Sequence, residues 1–552
     1  MNRGAKIGVG VAAAALLTVG SVGAYNLVHG VVGGPTAAPT FDPTALATTP
    51  PSGDAAQKLA TAFLQSWQSG PAHYAGAASD TDSPSTAETA LQGYHDRLGL
   101  TGVTFTNVKA AGTSTQNTDA TLVNYDVSAQ VKGGTWTYQG TLSVVQSTNG
   151  QTAVHWASSV LFPKLKDGQS VQAGAVTADA SSVKVTDENG APLTAAAYPS
   201  LTDILATIAK NSTASGGGGG TGVEIIGSDS SKVAPATVFT KPKAETIKTT
   251  LNAQLQAKAE QAVKQKVLQG KSTGVAVVRP GDGHILALAY SGSSGNLAIN
   301  GTQPPGSSMK ILTAAALFDQ ANLTPTSTLK CDTTQLASGQ VFHNEKDVPK
   351  NLNASITDDF ARSCNTAFVY GGGHYLLHDG TPADALHNEA AQYFGFGSWT
   401  IGGGVATTDP SIPADVSGGD RAAQFMGQGK VTLTPLALAS VAATVKAGTF
   451  HQPIILPGQT QTPAPSSLSQ STDSALKTLM RAVVTGGTAT PRLGDLAGVG
   501  AKTGTAEVGT TTDGWMTAYN GQIAVSSVVL GGTSGVDSAG YVVRELLQTT
   551  GS

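Results

Sequence analysis

Strand-patterned segments stand at both ends of the second half of this chain, and a long helical section separates them. "GVAVVRPGDGHILALAYSG" (274–292) reads as a hairpin turning at Gly281-Asp282-Gly283. "GVGAKTGTAEV" and "WMTAYNGQIAVSSVVLGG" alternate in the same way far downstream, and "SAGYVVRELLQTT" closes the chain as an amphipathic helix. Strands at both sequence ends call for one sheet assembled from distant segments, with the helices between them forming a subdomain.

The first half is organised differently. From Asp54, "DAAQKLATAFLQSWQSG" spaces Leu59, Ala60, Phe63, Leu64 and Trp67 for one helix face. Four alternating segments between Thr101 and Pro163 follow, separated by Gly and Asn turns. A helix and a curved antiparallel sheet make a small α+β module over 54–165. Residues 166–270 look irregular. They hold "VTDENGAPLT", the run "ASGGGGGTG" (214–222) and a polar stretch, "AETIKTTLNAQLQAKAEQAVKQKVLQ", that reads as a surface helix. At 552 residues the chain exceeds one ordinary core. The expected class is multidomain α+β, with a last domain over 271–552.

Residues 1–6 carry Arg3 and Lys6, and Ile7 to Tyr25 is an uncharged apolar run. At about 1.5 Å per residue that run makes roughly 28 Å of helix, enough to cross a bilayer with the basic end in the cytoplasm. A cleaved signal peptide ending near Val22-Gly23-Ala24 is the alternative. Either reading exports the remainder. Residues 26–53 then form a linker rich in Pro, Thr and Ala. A formal net charge of −4 offers no basic footprint for nucleic acid. Cys331 and Cys364, the only cysteines, can pair outside the cell or remain buried thiols.

"PPGSSMK" (304–310) brings chemistry into view. If a helix begins here, Ser307 and Lys310 are neighbours on one face. Ser363-Cys364-Asn365 follows in the helical section, and Lys502-Thr503-Gly504-Thr505 lies on a late strand. Each piece alone is weak, since Ser181/Lys184 and Ser327/Lys330 share the first spacing. The ordered set in these contexts is specific. A serine becomes a nucleophile when a base takes its proton, and a lysine serves only when neutral. Burial and a second cation, Lys502, would lower the Lys310 pKa. His374 and His378 are four apart, but no third ligand is evident. Neither metal nor cofactor is expected.

This set resembles the penicilloyl-serine transferases, and most closely the class B penicillin-binding proteins, the membrane-anchored D,D-transpeptidases of peptidoglycan synthesis. "PPGSSMKILTAAAL" is similar to their nucleophile helix, "ARSCNTAF" to their second motif and "MGQGKVTLTPLALA" (426–439) to their Gly-Gln-Gly segment. "AKTGTAEV" with "GWMTAYNG" is similar to their third motif and the next strand. Residues 54–165 resemble the NTF2-like domain of some members. "VTDENGAPLT" resembles the opening of their pedestal, with Glu188 where Arg is usual.

The resemblance implies catalytic roles for Ser307, Lys310, Ser363, Asn365 and Lys502. It implies substrate binding by Thr503, Gly504 and Thr505, and an oxyanion site at the backbone N–H groups of Ser307 and Thr505. Cys364 departs from the usual Asp or Ser of the second motif, and Cys331 could hold it as a disulfide. Stem peptides ending in D-Ala-D-Ala and β-lactams are the implied ligands. No glycosyltransferase module is evident, so a glycosyltransferase partner is implied, with the catalytic domain on the outer membrane face. The alternatives are a serine β-lactamase or D,D-carboxypeptidase, and a non-catalytic penicillin-binding scaffold. No Glu-x-x-x-Asn segment follows the second motif to activate a deacylating water, which favours the transpeptidase.

Overall fold

The computed structural model describes residues 41–114, 119–176, 183–214, 220–241, 245–377 and 384–549. The apolar run 7–25, much of the linker and His378 lie outside the described residues. Among the described residues no helix is long and apolar enough to cross a membrane. The chain divides into two units. One runs to Gly174 and takes back Gly222–Phe239; the other holds Ala175–Thr221 and everything from Thr240 on.

In the first unit, Ser52 caps helix Gly53–Gln68 by accepting the Ala55 N–H. Ala56, Ala60, Phe63, Leu64 and Trp67 are buried on one face of it, as the spacing predicts. They pack in one core with Val123, Tyr125, Trp136 and Leu142 of a four-stranded antiparallel sheet. Its strands, Gly102–Thr113, Thr121–Val131, Gly134–Gln146 and Thr152–Val154, lie in sequence order. Each large apolar side chain buried here is worth about 1.5–3 kcal/mol.

The stretch 166–270, expected as one irregular region, is shared between the units. Strands Ser170–Val176, Gly220–Ile226 and Lys232–Thr240 form their own sheet, and Val223 and Ile225 join the first core. Leu201, Ile204, Ile208 and Leu255 join the second. The polar segment expected as one surface helix is α-helical only over Ala253–Ala262, with a 3-10 turn at Lys266–Leu268, and is half sunk. Three of its polar residues, Thr250, Asn252 and Gln256, bond to backbone. Thr250 Oγ1 donates to Ile285 O and Ile454 O, and Asn252 caps the helix. The Gln256 amide pairs with both backbone groups of Leu288.

The second unit is built on a five-stranded antiparallel sheet. Its order is Ile285–Ser291, Thr273–Val278, Ala524–Val529, Thr511–Tyr519 and Gly500–Val508. The hairpin from the start of the domain thus pairs with the last strand through Thr273↔Val529 to Val278↔Ala524. Every residue of these two central strands is buried, as happens when helices cover both faces. Helices Pro435–Ala447 and Ala539–Gln548 pack on the sheet. Glu188 pairs with Arg279 and accepts from Asn252 Nδ2, which gives this acidic residue a cationic partner. Gly500–Val508 is the edge strand, and the helical section faces the chemistry from beyond it.

Candidate active site

Ser307 stands in a 3-10 turn, Gly306–Met309, that runs directly into helix Lys310–Ala321. The first nine residues of that helix, Lys310 to Phe318, are all buried. The turn abuts the edge strand. Gly306 has φ +51°, and a Cβ there would lie 2.5 Å from Thr505 O. A Cβ on Gly504 would lie 2.6 Å from Pro305 O. Two glycines therefore let the nucleophile turn and the strand approach, and no larger residue fits at either position.

The second motif begins where helix Ile356–Arg362 ends. Ser363 takes the left-handed conformation at φ 62°, a place usually given to glycine. A serine there costs about 1–2 kcal/mol. The turn aims its hydroxyl between two lysines. Helix Asn365–Gly371 restarts with Cys364 as cap, and a disulfide joins Cys364 to Cys331. Asn344 fixes the same bend, its amide donating to Asp332 O and accepting the Thr366 N–H.

These pieces meet. Lys310 Nζ lies 2.9 Å from Ser307 Oγ, 2.8 Å from Ser363 O and 2.7 Å from Asn365 Oδ1. Asn365 Nδ2 donates to His343 O at 3.2 Å, which orients its oxygen toward the lysine. Lys502 Nζ donates to Ser363 Oγ at 2.8 Å and to Thr503 O at 2.9 Å. Both lysines are fully buried. Their Nζ atoms sit 5.5 Å from the ring centres of Phe368 and Phe360 respectively.

Burial, followed by the charge of Lys502, pushes the Lys310 amine well below the ordinary lysine range. Burial alone brings Lys502 down to about 7. A neutral Lys310 fits its surroundings. It can donate to Ser363 O and Asn365 Oδ1 and still accept the Ser307 hydroxyl proton with its lone pair.

In front of Ser307 opens a cleft of about 340 Å³, lined also by Asn365, Thr505, Met426, Gln428 and Glu507. Thr505 thus reaches the cleft. Thr503, expected to bind substrate, is buried, and its hydroxyl pairs with Thr488 Oγ1 at 2.6 Å. Residues Gln340–Glu345 form another wall that motif reasoning missed. They continue the hairpin Thr334–Ala337/Gln340–His343, which turns at Ser338-Gly339 with both φ positive. A two-residue Ser-Gly between short alternating runs is the signal that could have found it. His374 lies on a short π-helical turn stacked on Tyr370, away from this cleft.

Comparisons with known proteins agree with this architecture. The profile of the penicillin binding protein transpeptidase domain matches residues 273–548, half of the chain, and that of the NTF2-like N-terminal transpeptidase domain matches 55–169. The chain belongs to the penicillin-binding protein transpeptidase family. It is 28% identical over 265 residues to peptidoglycan D,D-transpeptidase PbpA of Mycobacterium tuberculosis, covering 41% of this chain and 51% of the relative. To the Mycolicibacterium smegmatis protein of the same name it is 34% identical over 239 residues, 39% and 45% of the two chains. The chain thus spans about half the length of these relatives.

Penicillin-binding protein A from M. tuberculosis, solved as a ceftriaxone acyl-enzyme, superposes with a TM-score of 0.50 at 25% identity, covering 57% of this chain and 81% of that one. Pseudomonas aeruginosa PBP2 in complex with WCK 5153 shares the fold, with a TM-score of 0.51 at 21% identity over 66% and 95% of the two chains.

Proposed function

We propose that this protein is a peptidoglycan D,D-transpeptidase that works through a Ser307 acyl-enzyme and is acylated by β-lactams. The observation that carries the reading is the 2.9 Å contact between Lys310 Nζ and Ser307 Oγ, with Lys310 also tied to Ser363 and Asn365 and Ser307 Oγ 3.4 Å from Asn365 Oδ1. Relatives named D,D-transpeptidases and a neighbour solved as an acyl-enzyme support it.

In this reading Ser307 Oγ attacks the carbonyl carbon of the penultimate D-Ala as Lys310 takes the hydroxyl proton. The N–H groups of Ser307 and Thr505 hold the oxyanion. The peptide C–N bond breaks, and the departing D-Ala amine receives a proton by way of Ser363 Oγ. Lys502 and Thr505 receive the terminal carboxylate. An amine of a second stem peptide then attacks the ester carbonyl and loses its proton along the same path, the acyl C–Oγ bond breaks, Ser307 Oγ takes back a proton from Lys310, and the new amide is the cross-link. Thr503, whose hydroxyl can accept from Thr488 and still donate, adds a hydrogen bond to the terminal carboxylate.

The apolar run 7–25 supports a membrane-anchored protein with its catalytic unit on the outer face. The reading also calls for a glycosyltransferase partner to make the glycan.

A stem pentapeptide with a labelled amine acceptor tests the assignment. The wild type is expected to release D-Ala and incorporate the label, and Ser307→Ala to do neither. Release without incorporation would make the protein a carboxypeptidase, and penicillin turnover within seconds a β-lactamase.

A further inference from the structure

Asp359 is a buried carboxyl that the steps above do not use. It lies on helix Ile356–Arg362, one turn before Ser363, and is 2% exposed. Its Oδ2 has no hydrogen-bond partner among the described residues. Its backbone oxygen accepts the Cys364 N–H at 2.8 Å. Its carboxylate and the sulfurs of Cys331 and Cys364 lie within 4.8 Å of one another, so the disulfide walls this group in. A disulfide offers no proton to a carboxylate.

The charges that act on Asp359 are Asp358 and Arg362 of its own helix and Lys310 of the nucleophile helix. Those that act on Lys310 are Lys502, Glu345 and Asp359. Helix Gln470–Thr485 also packs against the Asp359 helix. Its Asp473 and Lys477 pair with each other, and its Arg481 donates to Leu496 O and Val499 O, so these charges are engaged elsewhere. Glu345 is the larger of the two anionic influences on Lys310 but is exposed, where solvent and salt screen it; Asp359 is buried and acts through the protein interior. Burial, with Asp358 beside it, raises Asp359 to about 7, so its charge changes close to neutral pH.

We propose that Asp359 is a positioning residue for acylation: uncharged, it leaves Lys310 as the free amine that Ser307 needs; charged, it holds Lys310 as the ammonium. The two groups titrate as a coupled pair, and the proton the pair holds decides how much enzyme is competent. This rests on the reading of Lys310 as the base.

The test is the pH dependence of penicillin G acylation in the full-length protein, measured for the wild type, Asp359→Asn and Asp358→Asn. Asp359→Asn removes a buried anion that acts on Lys310. The acid limb is expected to fall by about half a pH unit or more, roughly a threefold gain below the limb. Asp358→Asn, at an exposed position, makes Asp359 easier to ionise, so its limb is expected to move up. A merely structural Asp359 would lower the rate at all pH values and leave the limbs in place, and that result overturns the proposal. If Asp359→Asn does not fold, the direction of the Asp358→Asn shift decides alone. Absence of any adduct on the wild type would instead overturn the enzyme reading beneath the proposal.

Discussion

Lys502 Nζ stands 2.8 Å from Ser363 Oγ, although 139 residues of chain separate them. Through that hydroxyl the late strand and the second motif form one polar path to Lys310, whose Nζ is 3.4 Å from the same oxygen. Ser363 pays for this post with a left-handed backbone. Replacing Ser363 by Ala or Gly breaks the path, and acylation is expected to fall ~10²–10⁴-fold in both. Gly also relieves the backbone and should melt higher than Ala, by about 1 kcal/mol. Acylation kinetics with thermal unfolding of the two variants check this; an active glycine variant would contradict it.

The charge on Lys502 has a pH signature. Burial lowers it to about 7, and the carboxylate of a β-lactam needs the ammonium form. The second-order acylation constant is therefore expected to fall as pH rises past about 7, approaching tenfold per unit. A β-lactam ester without the carboxylate should lack this limb. A constant that keeps rising through pH ~8 would speak against the assignment.

The disulfide is expected to matter for both stability and rate. It closes a loop with a sequence separation of 33 residues. Loop entropy puts its worth at roughly 3–4 kcal/mol. The double substitution Cys331→Ser, Cys364→Ser should lower Tm and slow acylation, since Ser363 and Asn365 flank Cys364. Unchanged acylation with lowered Tm would limit the bond to a structural role.

A second buried carboxyl gives a stability prediction away from the cleft. Burial drives Glu389 up to about 8 from the ordinary 4.5, with Gln320 donating to it and Asp319 beside it. A group raised in this way binds its proton more tightly folded than unfolded. Its stabilising effect is full below about 4.5 and is lost as pH rises toward about 8. Glu389→Gln should remove that slope and be more stable than wild type at alkaline pH by a few kcal/mol. Thermal unfolding at the two ends of the window measures it; equal slopes would refute the account.

Much of this site was legible because its chemistry needs fixed residue types at fixed spacing. Ser307 and Lys310 share a face because they stand three positions apart in helix or 3-10 turn alike, so the observed 3-10 turn did not disturb the reading. The assembled sheet followed from strands at both ends of the domain. Asp359 was not legible. A carboxylate in a capping segment reads as solvated, and only tertiary packing shows it buried beneath a disulfide. The segment around Thr250 and Gln256 misled for the same reason. Polar side chains that bond to distant backbone look like a surface when the partners are absent from the pattern. Thr503 pairs with Thr488, a partner from another segment that motif spacing does not show.

The account turns on an amine that is neutral where it is buried, next to the hydroxyl it activates. Lys310→Met keeps the volume and removes the base. Mass spectrometry of the intact protein and of its peptides, after timed exposure to penicillin G, measures the consequence. The account predicts an adduct on Ser307 in the wild type and a rate lower by ~10²–10⁴ in the variant, with Tm equal or higher because no amine need be desolvated. An adduct forming at the wild-type rate without Lys310, or on a residue other than Ser307, would contradict it.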